Sequence, residues 1–284
     1  MNIQTVAVIG AGQMGTGITQ TFAQFHYNVL LYDSKKEQLS KGVEGIRKQT
    51  EKLVQKGKMT QLEQESLIQR IVPVSTIKEC RNANLVVEAA VENMDIKKEI
   101  FQELDQCVSS QTILATNTSS LSITELAAET TRPDHVIGMH FMNPVPVMKL
   151  VEVIRGLATS EETYQIVKET AESLRKTAVE VKDYPGFVSN RVLMPLINEA
   201  IFSVYEGVAA PEDVDHIMTL GMNHPMGPLK LADFIGLDTC LSIMETLHEG
   251  FGEDKYRPCP LLRKYVNAGW LGKKSGRGFY RYSS

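Results

Sequence analysis

Residues 3–33, IQTVAVIGAGQMGTGITQTFAQFHYNVLLYD, decide the fold. The apolar, β-branched run 3–9 reads as a strand. Gly10-Ala11-Gly12-Gln13-Met14-Gly15 follows at once, and then Ile18, Phe22 and Phe25 recur at helical spacing. A second apolar run, Val29-Leu30-Leu31-Tyr32, ends on Asp33. Each glycine answers a physical demand: Gly10 a sharp exit from the strand, Gly12 a bare backbone that a pyrophosphate can approach, and Gly15 close packing of helix on sheet. Free N–H groups and the helix dipole at the helix start favour a bound anion. Asp33 lies about twenty residues beyond Gly10, the place of the carboxylate that bonds a ribose 2′-hydroxyl. A carboxylate there repels a 2′-phosphate, so the reading is NAD rather than NADP. FAD, which uses the same turn, stays open on these residues alone.

The chain has 284 residues and a formal net charge of −4, with 23% of residues charged. This length implies roughly two domains. No basic tract long enough to grip nucleic acid occurs, and aromatics do not interleave with Lys and Arg as a stacking surface needs. The start, MNIQTVAVIG, has no charged segment, apolar core or cleavage site of a secretory leader. No stretch approaches the ~18 apolar residues of a membrane span. The expected compartment is the cytoplasm. Cys80, Cys107, Cys240 and Cys259 are far apart, which favours reduced thiols over disulfides or a metal site.

Beyond Asp33 the pattern is helical from about 35 to 70, with Leu39, Val43, Ile46 and Leu53 as an apolar stripe and a capping box at Thr60–Glu63. A helical hairpin is thus inserted between strands. Strands follow at 71–74, 84–88, 112–116, 135–141, 148–154 and 178–182. Between them lie helices at 94–107, with Ile96, Ile100, Phe101 and Leu104 inward, from Ser122 to about 130, and at 161–176. The short Asn143-Pro144-Val145-Pro146 connection makes strands 135–141 and 148–154 antiparallel neighbours. Alternation of strands and helices stops at Asp183-Tyr184-Pro185-Gly186, the expected hinge. Helical stretches then run over 187–206, 211–220, 229–247 and 259–268. The expected architecture is α/β: a doubly wound, Rossmann-like domain over 1–185 and a smaller all-helical domain over 186–284.

Chemistry concentrates on one pair. His140 closes one strand and Glu152 lies in the next; antiparallel pairing returns the carboxylate to the imidazole, fixing its tautomer and stabilising its charged form. That suits a base that deprotonates a hydroxyl while hydride leaves the same carbon. The plainer alternative is a buried histidine hydrogen-bonded in a core. Thr116-Asn117-Thr118-Ser119-Ser120 ends a strand where ligands of open α/β sheets sit, or merely precedes the Ser122 cap. Asn190 and Arg191 open the first helix after the boundary. Lys52 and Lys56, four apart, share a helix face that either holds a phosphate or is solvated. Lys273-Lys274-Ser275-Gly276-Arg277-Gly278 is a second basic turn with the same two readings.

These stretches carry a resemblance. VIGAGQMGTGI, LVVEAAVENMDIKKEIF, ILATNTSSLSITELA, HFMNPVPVMKLVEVI, PGFVSNRVL, NHPMGPLKLADFIGLD and LGKKSGRGFY, in this order over nearly the whole chain, resemble the 3-hydroxyacyl-CoA dehydrogenase family, and closely its bacterial 3-hydroxybutyryl-CoA branch. The resemblance implies His140 as general base and Glu152 as its orienting partner, with Ser119 and Asn190 holding the substrate's 3-oxygen and thioester region. It implies that Gly10, Gly12, Gly15 and Asp33, with Gln13 and Met14 between the glycines, bind the ADP half of NAD. Glu92, Lys97, Asn117, Asn143 and Lys274, with Ser119 shared, would line the ribose and nicotinamide side. Lys52 and Lys56 would meet the CoA phosphates, and no metal is involved. A homodimer through the helical domain is expected. The implied reaction is reversible hydride transfer between C3 of an (S)-3-hydroxyacyl-CoA and NAD. Two alternatives remain at this stage: a β-hydroxyacid dehydrogenase acting on free acids, and an NAD-binding protein without turnover.

Overall fold

The computed structural model describes residues 3–282. The chain divides after Asp183 into two compact units. The first alternates strands and helices: β1 (Thr5–Ile9), α1 (Gln13–Gln24), β2 (Asn28–Tyr32), α2 (Lys36–Gln55), α3 (Gln61–Gln69), β3 (Ile71–Val74), β4 (Leu85–Glu88), α4 (Met94–Cys107), β5 (Ile113–Thr116), α5 (Ile123–Ala127), β6 (Val136–Phe141), β7 (Leu150–Arg155), α6 (Glu161–Ser173) and β8 (Thr177–Lys182).

The strands form one eight-stranded sheet in the order β3-β2-β1-β4-β5-β6-β7-β8. All pairs are parallel except β6 with β7. Val6, Val8, Leu85, Val87, Ile113 and Ala115 are buried, as continuous apolar strands covered on both faces must be. From β1 the chain winds outward to β3, then crosses back to β4 on the other side. The crevice at the carboxyl ends of β1 and β4 is therefore the topological switch point, where ligands of such sheets bind.

The inserted α2–α3 pair packs on α1. The buried positions of α2 are Leu39, Gly42, Ile46 and Thr50, so the apolar stripe is rotated from the expected one; Val43 and Leu53 are only partly buried. Gly42 allows this approach, because a Cβ there would lie 2.9 Å from the Thr16 methyl. Thr50 and Gln64 join the two helices through a buried hydrogen bond of 3.3 Å. The capping box at Thr60 and Glu63 is present.

The second unit is helical: α7 (Ser189–Tyr205), α8 (Pro211–His216), α9 (Pro228–Ile235), α10 (Leu237–Phe251) and α11 (Pro260–Asn267). The expected single helix over 229–247 is two. Gly236 separates them at φ +105°, a conformation that no helix interior adopts. The helix from Pro211 continues as a π turn over Ile217–Gly221. Two buried acids organise this unit. Asp215 accepts from the backbone N–H groups of Leu229 and Lys230, which open α9, and from the Tyr280 hydroxyl. Asp233 accepts from the N–H groups of Phe279 and Tyr280, fastening the C-terminal segment. Burial raises the pKa of Asp233 in spite of these donors. Among the described residues no helix is long and apolar enough to cross a membrane, and all four cysteines are unpaired.

Candidate active site

The glycine turn shows three distinct constraints. Gly10 sits at φ +110°, and a Cβ there would lie 2.5 Å from the Ala89 carbonyl oxygen. A Cβ on Gly15 would lie 1.8 Å from the Gly10 carbonyl oxygen. At Gly12 a Cβ would meet nothing within 4 Å. Packing thus demands two of the glycines, whereas Gly12 faces open space in front of α1, where it is the N-cap and no side chain caps the helix. A cradle of bare N–H groups beside an open volume fits a pyrophosphate. Asp33 borders it: its carboxylate accepts from the N–H of Ala11 (2.8 Å) and of Lys35 (2.9 Å). Gln38, which the sequence did not single out, donates to the Ala11 carbonyl from α2.

At the same edge of the sheet, β6 and β7 pair with His140 opposite Glu152. His140 Nδ1 lies 2.8 Å from Glu152 Oε2, and both residues are buried. The carboxylate assigns the proton to Nδ1, leaving Nε2 as an acceptor. The Ser119 hydroxyl lies 3.2 Å from Nε2, so an alcohol oxygen already occupies hydrogen-bonding distance of the basic nitrogen. The two nitrogens therefore have different roles: one is oriented by the protein, the other meets hydroxyl groups.

Ser119 is placed by Glu92. Glu92 Oε1 accepts from the Thr118 hydroxyl (2.6 Å) and from the N–H groups of Ser119 (2.8 Å) and Ser120 (3.2 Å). Its other oxygen lies 3.5 Å from Lys97 Nζ. Lys97 is 1% exposed, and its ammonium donates to both oxygens of the fully buried Glu88, at 2.7 and 2.9 Å. Glu88 also accepts from Ala90 N–H and the Thr116 hydroxyl. Lys97 was expected to line the ribose; in the structure it is buried and engaged with two carboxylates. Thr116 opens the segment 116–120 singled out from the sequence, whereas Glu88 was absent from the expected site. Its signal was a charged residue closing an otherwise apolar strand.

The other expected residues fall as follows. Asn117 is buried at the end of β5, and its side-chain oxygen accepts from Phe141 N–H (2.9 Å), tying β5 to β6 next to His140. Asn143 is exposed in the β6–β7 connection, two residues past the end of β6, and joined to Pro144 by a cis peptide bond. Its side-chain oxygen accepts from Gln13 at 3.3 Å. Met14 is partly buried against the core. Lys52 and Lys56 are exposed at the C-terminal end of α2. Asn190 lies in the first turn of α7. Lys274 pairs with Asp238 at 2.6 Å within the helical unit. Among the described residues no cluster of His, Cys, Asp or Glu could hold a metal.

Both units match known family models. Residues 5–184 match the model of the 3-hydroxyacyl-CoA dehydrogenase NAD binding domain, and residues 186–282 that of the 3-hydroxyacyl-CoA dehydrogenase C-terminal domain. A probable 3-hydroxybutyryl-CoA dehydrogenase of Bacillus subtilis is 64% identical over 99% of this chain and 98% of its own length. The 3-hydroxybutyryl-CoA dehydrogenase of Bradyrhizobium diazoefficiens is 50% identical, covering 99% and 96%. The crystal structure of (S)-3-hydroxybutyryl-CoA dehydrogenase from Ralstonia eutropha superposes with a TM-score of 0.97 at 48% identity, covering the whole of both chains.

Proposed function

The chain belongs to the 3-hydroxyacyl-CoA dehydrogenase family, is an NAD-dependent oxidoreductase of its 3-hydroxybutyryl-CoA branch, and from that premise we propose how its residues share the work. When bound, NAD supplies the hydride acceptor at its nicotinamide ring. His140 Nε2 takes the proton of the substrate's 3-hydroxyl as the C3 hydride leaves, and returns it in the reductive direction. Glu152 holds Nδ1–H and compensates the imidazolium charge. Ser119 and Asn190 hold the 3-oxygen and thioester region. Gly12 and Asp33 bind the ADP half, with Gln13 and Met14 beside it. Glu92, Asn117, Asn143 and Lys274 line the ribose and nicotinamide side, and Lys97 serves that side through Glu92. The observation that carries this reading is the asymmetric engagement of His140: carboxylate at Nδ1, hydroxyl at Nε2.

Lys52 and Lys56 are proposed to meet the CoA phosphates. They are four residues apart, exposed, and have no carboxylate within salt-bridge distance among the described residues. For the helical unit we propose pairing with a second copy. Val208, Leu220, Met222 and Phe234 are 73, 84, 61 and 61% exposed, apolar side chains that a second copy would cover. A cytoplasmic location is proposed on the four unpaired thiols.

The test is NADH consumption with acetoacetyl-CoA, longer 3-oxoacyl-CoA homologues and free acetoacetate. Turnover on the thioesters and none on the free acid is expected, and His140→Ala should lower kcat ~100–10,000-fold. Equal turnover on the free acid would remove the CoA arm. A His140→Ala enzyme of undiminished kcat would remove the base.

A further inference from the structure

The geometry points to Lys176 as a positioning residue for the cofactor end of the site: its ammonium holds the β6–β7 connection in the conformation that presents Asn143 beside Gln13. The inference rests on the proposed placement of Asn143 at the nicotinamide side.

The connection, Met142 to Lys149, holds two prolines and so lacks two N–H donors. Its own hydrogen bonds are few: Val147 N–H and Met148 N–H both donate to the Pro144 carbonyl. The carbonyls of Val145 and Met148 turn inward instead. Lys176, in the turn between α6 and β8, is 8% exposed and donates to both of them from one nitrogen, at 2.6 and 2.7 Å. No carboxylate pairs with this ammonium among the described residues, so carbonyl dipoles alone compensate it. Burial accordingly lowers its pKa. The ammonium carries three donors on one nitrogen, two of which meet carbonyls three residues apart.

The other side of the connection is pinned by packing. Val145 is 2% exposed and lies against α1 at Gly17, where an added Cβ would approach the Val145 Cβ to 3.0 Å. Two residues before Val145, Asn143 is left exposed and accepts from Gln13 at the start of α1. His140 and Glu152 do not depend on Lys176, because the β6–β7 ladder fixes both of them and also pairs Phe141 with Val151. Loss of the ammonium therefore falls on cofactor binding and spares the base.

The experiment is a double-mutant cycle on NADH affinity, read by nucleotide fluorescence, with kcat measured at saturating NADH. Lys176→Met should raise the NADH Kd about tenfold and leave kcat within about threefold. Asn143→Ala should raise the Kd similarly, and the double variant should match Asn143→Ala alone. Lys176→Arg, which keeps the charge but not the geometry, should fall between wild type and Lys176→Met. If Lys176→Met does not fold, the same cycle is run with Lys176→Arg. Additive effects on Kd, or a fall in kcat with Kd unchanged, would overturn the inference. An Asn143→Ala variant with wild-type Kd is a different failure: it removes Asn143 from the cofactor, and the target of Lys176 with it.

Discussion

Replacing Glu152 by Gln tests the proposed chemistry with the least disturbance of shape. The side chain is 3% exposed and its Oε2 lies 2.8 Å from His140 Nδ1. A hydrogen bond to a charged group contributes about 1.5–3 kcal/mol. At about 1.4 kcal/mol per factor of ten, losing the charge alone slows a step that builds an imidazolium by roughly ten- to 150-fold. The amide adds a second penalty. If it turns its NH2 toward Nδ1, that nitrogen becomes the acceptor and the ring proton moves to Nε2, the atom that must receive the substrate's proton. The expected loss in kcat is therefore about 100-fold or more, with the NADH Kd within about twofold of wild type. The assay is NADH oxidation with acetoacetyl-CoA at saturating cofactor, paired with fluorescence titration of NADH. A kcat within about threefold of wild type would mean that His140 builds no positive charge in the rate-determining step, and the base assignment would fall.

Three further outcomes follow from the geometry. Gly12→Ala should fold with a nearly unchanged Tm but bind NADH at least tenfold more weakly, because its methyl projects into open space that a pyrophosphate is proposed to fill; Gly15→Ala should lose folded protein, because its methyl meets the Gly10 carbonyl oxygen. Equal effects in both variants would contradict the division of roles. Burial pushes the thiols of Cys80 and Cys240 up to about 12 and also raises those of Cys259 and Cys107, so a maleimide at neutral pH should not rapidly label the buried Cys80, Cys240 and Cys259 and should label all four after unfolding; a fast site besides the partly buried Cys107 would count against the packing. Burial opposes ionisation of Asp105, but donors from Thr131 and Arg132 outweigh it and hold its pKa below the ordinary 3.8. A depressed acid contributes stability above its unfolded pKa and loses it as pH falls through the folded value. The Tm gap between wild type and Asp105→Asn should thus be full at neutral pH and close below about pH 3.8; a gap that persists at lower pH would refute the ionised role.

Sequence made the doubly wound sheet and the contact of His140 with Glu152 legible for local reasons. The glycine turn couples backbone freedom, helix start and acid within one short stretch, and the proline-bearing connection permits only an antiparallel return that sets His140 opposite Glu152. What stayed hidden depends on partners remote in the chain. In α4 the period counted Ile96 as inward; it is 41% exposed, while Lys97 is 1% exposed. Periodicity identifies a helix, but the buried stripe here begins one residue later, because Glu88 from another element awaits an ammonium. Lys176 was invisible for the same reason: its carbonyl acceptors belong to a loop whose path sequence does not give. At Gly236 the residue type was visible, whereas the positive φ that splits the helix was not; a Cβ there would lie 2.9 Å from Lys274 Nζ and 3.0 Å from Asp238 Oδ1.

The Glu88–Lys97 pair raises the question of why a dehydrogenase buries an ion pair at all. Such pairs add little net stability; a well-packed apolar replacement is often neutral or better, whereas removing one partner costs about 3–5 kcal/mol. Lys97→Met should therefore destabilise severely by stranding Glu88, and adding Glu88→Met should recover much of the lost Tm. Activity should not recover with it. Lys97 is the cation beside Glu92 Oε2, and Glu92 Oε1 organises the N–H groups and hydroxyl that set the Ser119 turn. Without the ammonium, Glu92 is free to turn toward solvent, and the Ser119 hydroxyl leaves His140 Nε2. The double variant should be a folded protein that binds NADH yet turns over acetoacetyl-CoA at least tenfold more slowly. Full activity in that protein would show that the ion pair serves packing alone and that the Ser119 turn keeps its conformation without it.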